Sequence, residues 1–129
     1  MRTLTIETKS TNALKRRLLR RLVSLSRAHK SRLLRRVAEK LGSPRRRAVA
    51  VNVGELEEIG REGEVLVVPG KVLGGGELTK KLTVVAYSYS VKAWRKIKEA
   101  GGTPLLIEDV VRDESLLREV LSRPKRLVS

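Results

Sequence analysis

Leucines at positions 14, 18, 22 and 25 recur at intervals of four, four and three residues. That rhythm matches the turn of an α-helix and puts all four on one face. A second stretch, Leu33, Leu34, Val37, Ala38 and Leu41, repeats the pattern, and Gly42 with Pro44 stops it. Thr11-Asn12 offers a start signal for the first helix. Two apolar stripes of this kind need cover. The chain is thus constrained to two N-terminal helices laid on the rest of the molecule or on a partner.

The backs of these helices are the second constraint. Arg16, Arg17, Arg20 and Arg21 lie opposite the first leucine stripe, with Lys15 at its edge, and Arg32, Arg35, Arg36 and Lys40 lie opposite the second. A helix face that is merely solvated usually mixes Glu with Lys or Arg, because like charges a turn apart repel. Residues 1–47 carry 16 Lys and Arg against Glu7 and Glu39, a net of +14, whereas residues 48–129 carry 13 against 12. An asymmetry of this size points to a polyanionic partner. Arginine outnumbers lysine 18 to 11, and its planar fork suits phosphate. Arg45, Arg46 and Arg47 follow directly after Pro44 and extend the set of phosphate ligands.

Beyond this basic part the pattern changes to short alternating elements. Ala48–Asn52, Val65–Val68, Leu82–Ala86 and Pro104–Ile107 read as strands. Asn52 with Glu55 signals a short helix through Leu56 and Ile59. Ser88 or Ser90 caps a helix with core positions Val91, Trp94, Ile97 and Ala100, stopped by Gly101-Gly102. Glu108-Asp109 opens a short helix, Ser115–Leu121 forms another, and the basic tail 122–129 carries no pattern and reads as loose.

The chemistry available is narrow. "PGKVLGGGELTKK" (69–81) has the glycines and lysines of a phosphate cradle. Counting from Gly70, however, the position that needs the P-loop lysine is Gly76, and the last glycine of a dinucleotide fingerprint is missing. His29 has no carboxylate near it in sequence, Glu108, Asp109, Asp113 and Glu114 read as solvated helix ends, and no general acid–base set stands out. No catalytic residues, metal ligands, cofactor or small-molecule substrate are expected. With no cysteine there is no disulfide framework, and no run of 18 apolar residues suggests a membrane span, so a cytoplasmic location is expected. Two Asn, no Gln and one Met in a chain one-third charged point to a thermophilic source. The aromatics Tyr87, Tyr89 and Trp94 all lie outside the basic third, so base stacking there is not expected. The expected target is the backbone and shape of a structured RNA.

Three segments in order, "VAEKLGSPRRRAVAVNVGEL" (37–56), "VLVVPGKVLGGGELTKKLTVVAYSYS" (65–90) and "KIKEAGGTPLLIEDV" (96–110), resemble the archaeal and eukaryotic large-ribosomal-subunit protein eighteen-e family, relatives of bacterial large-subunit protein fifteen. The chain departs from that pattern at Ala13, Leu34 and Gly75. The resemblance implies an α/β protein in which two basic N-terminal helices precede a small irregular superhelix of short strand and helix units. It implies a structural, non-catalytic part in the large ribosomal subunit, with large-subunit ribosomal RNA and neighbouring ribosomal proteins as partners. It also implies that "PGKVLG" is a structural turn from which Lys71, Lys80 and Lys81 reach RNA. One domain, 1–129, is expected, divided into a basic helical part (1–47), an α/β core (48–121) and the tail (122–129). The alternatives are a free-standing nucleic-acid-binding protein or chaperone, and an RNA-modifying enzyme, for which no catalytic set was found.

Overall fold

The computed structural model describes residues 4–43 and 49–128. Six helices and five strands follow in the order α1 (Leu4–Ala28), α2 (Arg32–Leu41), β1 (Val49–Asn52), α3 (Val53–Ile59), β2 (Val65–Leu73), β3 (Thr83–Tyr89), α4 (Val91–Glu99), β4 (Thr103–Leu106), α5 (Ile107–Arg112), α6 (Glu114–Ser122) and β5 (Lys125–Leu127). The α/β reading with two leading helices therefore holds, and the short units assemble into one parallel sheet.

Strand order is β1-β2-β3-β4, and β5 joins β2. β3 lines one edge of β2. The other edge is shared in succession, with Val65–Val67 pairing Lys125–Leu127 and Gly70–Leu73 pairing Val49–Asn52. A parallel sheet is covered on both faces, so its strands read as continuous apolar runs. Val65 and Val67 of β2 and Val85 of β3 enter a core with Leu18 and Leu22 of α1, Leu34 and Val37 of α2, and residues of α5 and α6. Leu66, Val68, Val84 and Ala86 enter the opposite core with Leu56 of α3 and Ala93 and Ile97 of α4. The leucine stripes thus find their cover on one face of the sheet. Leu22 is completely buried; cutting it to alanine should cost roughly 2–5 kcal/mol.

Four sequence expectations need correction. The first helix begins at Leu4, not at Thr11-Asn12. Such residues cost only a few tenths of a kcal/mol inside a helix, and no proline precedes them to stop it. β2 continues past Val68 through the supposed loop to Leu73, with a register shift between Val68 and Lys71. Proline, which has no N–H, is admitted at such an irregularity. Gly70 is obligatory beside it, since a Cβ there would lie 2.1 Å from the Val49 carbonyl oxygen. In α4 the inward stripe is Ala93 and Ile97, with Ala100 partly buried against the same core. Val91 is 76% exposed and Trp94 38%. Small Ala93 is what sits against the sheet face, and Ser90, whose hydroxyl accepts the Ala93 N–H at 3.1 Å, sets that phase. Finally, the tail is not loose: β5 belongs to the sheet and Val128 is buried. Three residues are too short to show a strand pattern, and only pairing with β2 defines them.

Candidate nucleic-acid interface

Once the leucines of α1 and α2 face the sheet, helical geometry turns the arginines outward. Arg16, Arg17, Arg20 and Arg21 on α1 and Arg35 and Arg36 on α2 are all exposed. Arg27, Lys30, Arg32 and Lys40 join them, with Glu39 the one acid on the described part of this surface. Three ion pairs occur among the described residues, Arg112–Glu108, Arg118–Glu114 and Arg126–Glu64, and none uses a cation of α1 or α2. Arg21 reaches only the Val111 carbonyl, at 3.4 Å. Lys15, at the edge of the apolar arc, sets its ammonium 5.7 Å from the centre of the Tyr87 ring.

Between the two helices runs a groove of about 710 Å³, with Leu19, Val23 and Ala38 along it and Arg27, Lys30, Arg32 and Arg35 around it. Arg27, Lys30 and Arg32 were not singled out as RNA ligands from the sequence, because helical phase fails at the turn that carries the first two. In that turn Lys30 has φ +51°. The Ser31 N–H reaches the Ser26 carbonyl at 2.9 Å, closing the helix end in the manner usually given to glycine. A non-glycine residue there costs about 1 kcal/mol.

The remaining sequence-derived ligands do not form one cluster. Arg45, Arg46 and Arg47 lie outside the described residues. Lys71 in β2 and Lys81 before β3 are exposed. Lys80 is engaged with the protein itself: its ammonium donates to the carbonyls of Glu57 at 2.7 Å and Gly60 at 3.0 Å, closing the end of α3.

The glycine-rich segment is built in the same inward sense. A phosphate cradle must offer free N–H groups. Here the Gly75 N–H donates to Asn52 Oδ1 at 3.0 Å, and the Thr79 and Lys80 N–H groups donate to the Glu57 carboxylate at 3.0 and 3.2 Å. The Thr79 hydroxyl also donates to it, at 2.7 Å. These bonds, led by the hydroxyl of Thr79, hold the Glu57 carboxyl below its usual range. The Gly54 N–H donates to the Gly75 carbonyl at 2.9 Å, and the Lys96 ammonium donates to the carbonyls of Gly74, at 2.9 Å, and Gly76. Gly76 has φ +86°, and a Cβ on it would stand 2.8 Å from the Gly54 Cα. The segment is a clasp between α3 and α4. Its glycines allow close backbone approach, and its polar groups are met from within.

Among the described residues no group of three His, Cys, Asp or Glu side chains could hold a metal ion, and no helix is long and apolar enough to cross a membrane.

Residues 50–104, from β1 into β4, match the model of a ribosomal-protein family described as 50S-L15, 50S-L18e and their 60S counterpart. The chain is similar to the large ribosomal subunit protein eL18 of Pyrobaculum aerophilum, 49% identical over 102 residues that cover 79% of this chain and 84% of that protein. It is 44% identical to eL18 of Archaeoglobus fulgidus over 71% of this chain and 79% of the relative. Against eL18 of Methanopyrus kandleri the identity is 40%, over 80% and 85%.

Proposed function

The chain belongs to the eL18 family of large ribosomal subunit proteins, and on that premise we propose that it is a structural, non-catalytic component of the large subunit that binds large-subunit ribosomal RNA mainly through backbone phosphates. The observation that carries this reading is the α1–α2 surface, where exposed arginines stand in rows with no ion-pair partner among the described residues. Arginines packed this way repel one another, and each repulsion is relieved when a phosphate arrives between them. Aromatic rings are absent from that surface, so the contact reads charge and shape and not base identity.

Arg16, Arg17, Arg20, Arg21, Arg35 and Arg36 form the centre of the proposed interface, extended by Arg27, Lys30 and Arg32 along the groove. Arg45, Arg46 and Arg47, and the exposed Lys71 and Lys81, complete it. Lys80 is left out, because its ammonium already holds two carbonyls. The chain works as one unit, since α1 and α2 share a core with β2, α5 and α6. The assembled ribosome gives it a cytoplasmic location and neighbouring ribosomal proteins as contacts. No nucleotide binding or hydrolysis is expected.

The test is a filter-binding titration of a large-subunit RNA fragment against salt. Each phosphate neutralised contributes roughly −0.7 to −0.9 to the log–log slope, so several contacts give a slope of several units. A slope near zero overturns the reading.

A further inference from the structure

The α-helix on the far side of the sheet carries an outer stripe that the ribosomal reading does not use. α4 buries Ala93 and Ile97 in the core opposite to that of α1 and α2. Val91, Trp94, Arg95 and Lys98 are all exposed, and their spacing of three, one and three residues sets them side by side along the outward face. A valine 76% exposed beside a tryptophan 38% exposed is an apolar spot on an otherwise polar helix. Lys92 flanks it, and Glu99 is the one acid in α4. Lys96 is engaged with the glycine clasp, which leaves three cations around one large ring.

That ring stands on a fixed base. Trp94 meets Tyr89 in a T-shaped contact, with centroids 5.2 Å apart and planes at 83°. Tyr89 is pinned in turn: its hydroxyl lies 2.6 Å from the Leu105 carbonyl and 2.9 Å from that of Val84, and it accepts the Leu105 N–H at 3.1 Å. In a T-shaped pair one ring offers its edge to the other's face, so at least one face of the indole is not covered by Tyr89. A held aromatic face ringed by Arg and Lys is the arrangement that takes an unpaired nucleobase, with the cations on the phosphates either side.

From this we infer that α4 is a second RNA-binding surface, in which Trp94 stacks on an unpaired nucleobase while Lys92, Arg95 and Lys98 meet the adjoining phosphates. The inference rests on RNA being the partner, but not on the N-terminal arginines being the contact. Because α4 and α1–α2 cover opposite faces of the sheet, the protein joins two RNA segments: one read as backbone, the other gripped by a base.

Trp94 is the only tryptophan in the chain, so intrinsic fluorescence reports on this site alone. The full protein is titrated with a short oligouridylate RNA, with a base-paired RNA duplex, and with heparin as a polyanion without bases. Binding is followed in parallel by anisotropy of labelled ligand. Oligouridylate should quench the tryptophan to saturation, and duplex and heparin should bind without doing so. Trp94→Ala should weaken oligouridylate binding by roughly five- to a hundredfold, the range of one stacked base. Trp94→Phe should restore part of it, and duplex binding should stay unchanged in both variants. Saturated oligouridylate binding without quenching, or equal affinity in Trp94→Ala, overturns the inference and leaves the stripe to a protein neighbour. Loss of duplex binding with quenching intact strikes instead at the role of the N-terminal arginines.

Discussion

Two regions of this molecule are rich in cations, and they use them in opposite ways. On α1 and α2 the arginines point outward, and among the described residues none has an acidic partner within ion-pair distance. Around the glycine clasp, Lys80 and Lys96 point inward, and each holds two main-chain carbonyls. A cation next to a carbonyl replaces a hydrogen-bond donor that a tight backbone turn cannot supply. A cation next to other cations stabilises nothing in the free protein and gains only when an anion arrives. What a basic residue does thus follows from what faces it, more than from how many stand near it in sequence.

The sharpest way to break this comparison is to remove the outward set. Replacing Arg16, Arg17, Arg20 and Arg21 together by glutamine should weaken RNA binding on the order of a hundredfold at physiological salt and flatten its salt dependence. The melting temperature should hold or rise, because mutual repulsion is relieved. A large fall in melting temperature with little change in affinity would make these arginines structural and reverse the contrast.

The inward set should respond the other way. Lys96→Met keeps the aliphatic stem and deletes the ammonium from the Gly74 and Gly76 carbonyls. A hydrogen bond from a charged donor contributes roughly 1.5–3 kcal/mol, so stability to denaturant should fall by about 2 kcal/mol. Affinity for duplex RNA should be unchanged. If affinity falls and stability does not, the clasp lysine belongs to the interface after all.

How much of this contrast can be read from residue order depends on the range of the forces involved. The helices and their arginine backs were legible, because period and charge both repeat within one element. The strand Val65–Val68 was legible for its unbroken apolar run, which a sheet covered on both faces produces. The extension of β2 through Pro69-Gly70 was not. Proline and glycine signal a turn locally, and only the passage of Val49 over Gly70 shows that the strand continues. Lys80 looked as free as Lys81, since the carbonyls of Glu57 and Gly60 that hold it lie more than twenty positions away. Trp94 looked like core because it falls three residues before Ile97, yet it is Ala93 that packs beneath the helix.

Lys30 stands between the two classes and sharpens the comparison. It faces the α1–α2 groove, but in a left-handed backbone conformation that favours glycine. Lys30→Gly should therefore raise stability by about 1 kcal/mol while lowering RNA affinity a few-fold. Lys30→Ala should lower affinity equally with no gain in stability, since alanine keeps the strain. Chemical denaturation alongside filter binding separates the two. If glycine gains stability and keeps full affinity, the charge at this turn has no part in binding.

The smallest effect is expected at the carboxyl end, for a reason that differs from the one residue order suggests. Lys125 and Arg126 resemble free tail cations, which would lose much freedom on meeting RNA and gain little by it. In the fold they sit in β5 beside β2. The Lys125 ammonium donates to the Leu121 carbonyl at 2.8 Å. Arg126 donates to the Ile59 carbonyl at 3.2 Å and pairs with Glu64 at 3.4 Å. Both accounts expect the double alanine variant to lose at most a few-fold in RNA affinity, so affinity does not separate them. Stability does. A loose tail leaves the melting temperature untouched. An anchored strand lowers it, because Glu64 keeps 13% of its side-chain exposure and loses its cation. A partly buried carboxylate left without its partner is destabilising, so Glu64→Gln in the same background should recover part of the loss. A melting temperature that does not move in the double variant would return these two cations to the outward class, and the contrast between the regions would then stop at the clasp.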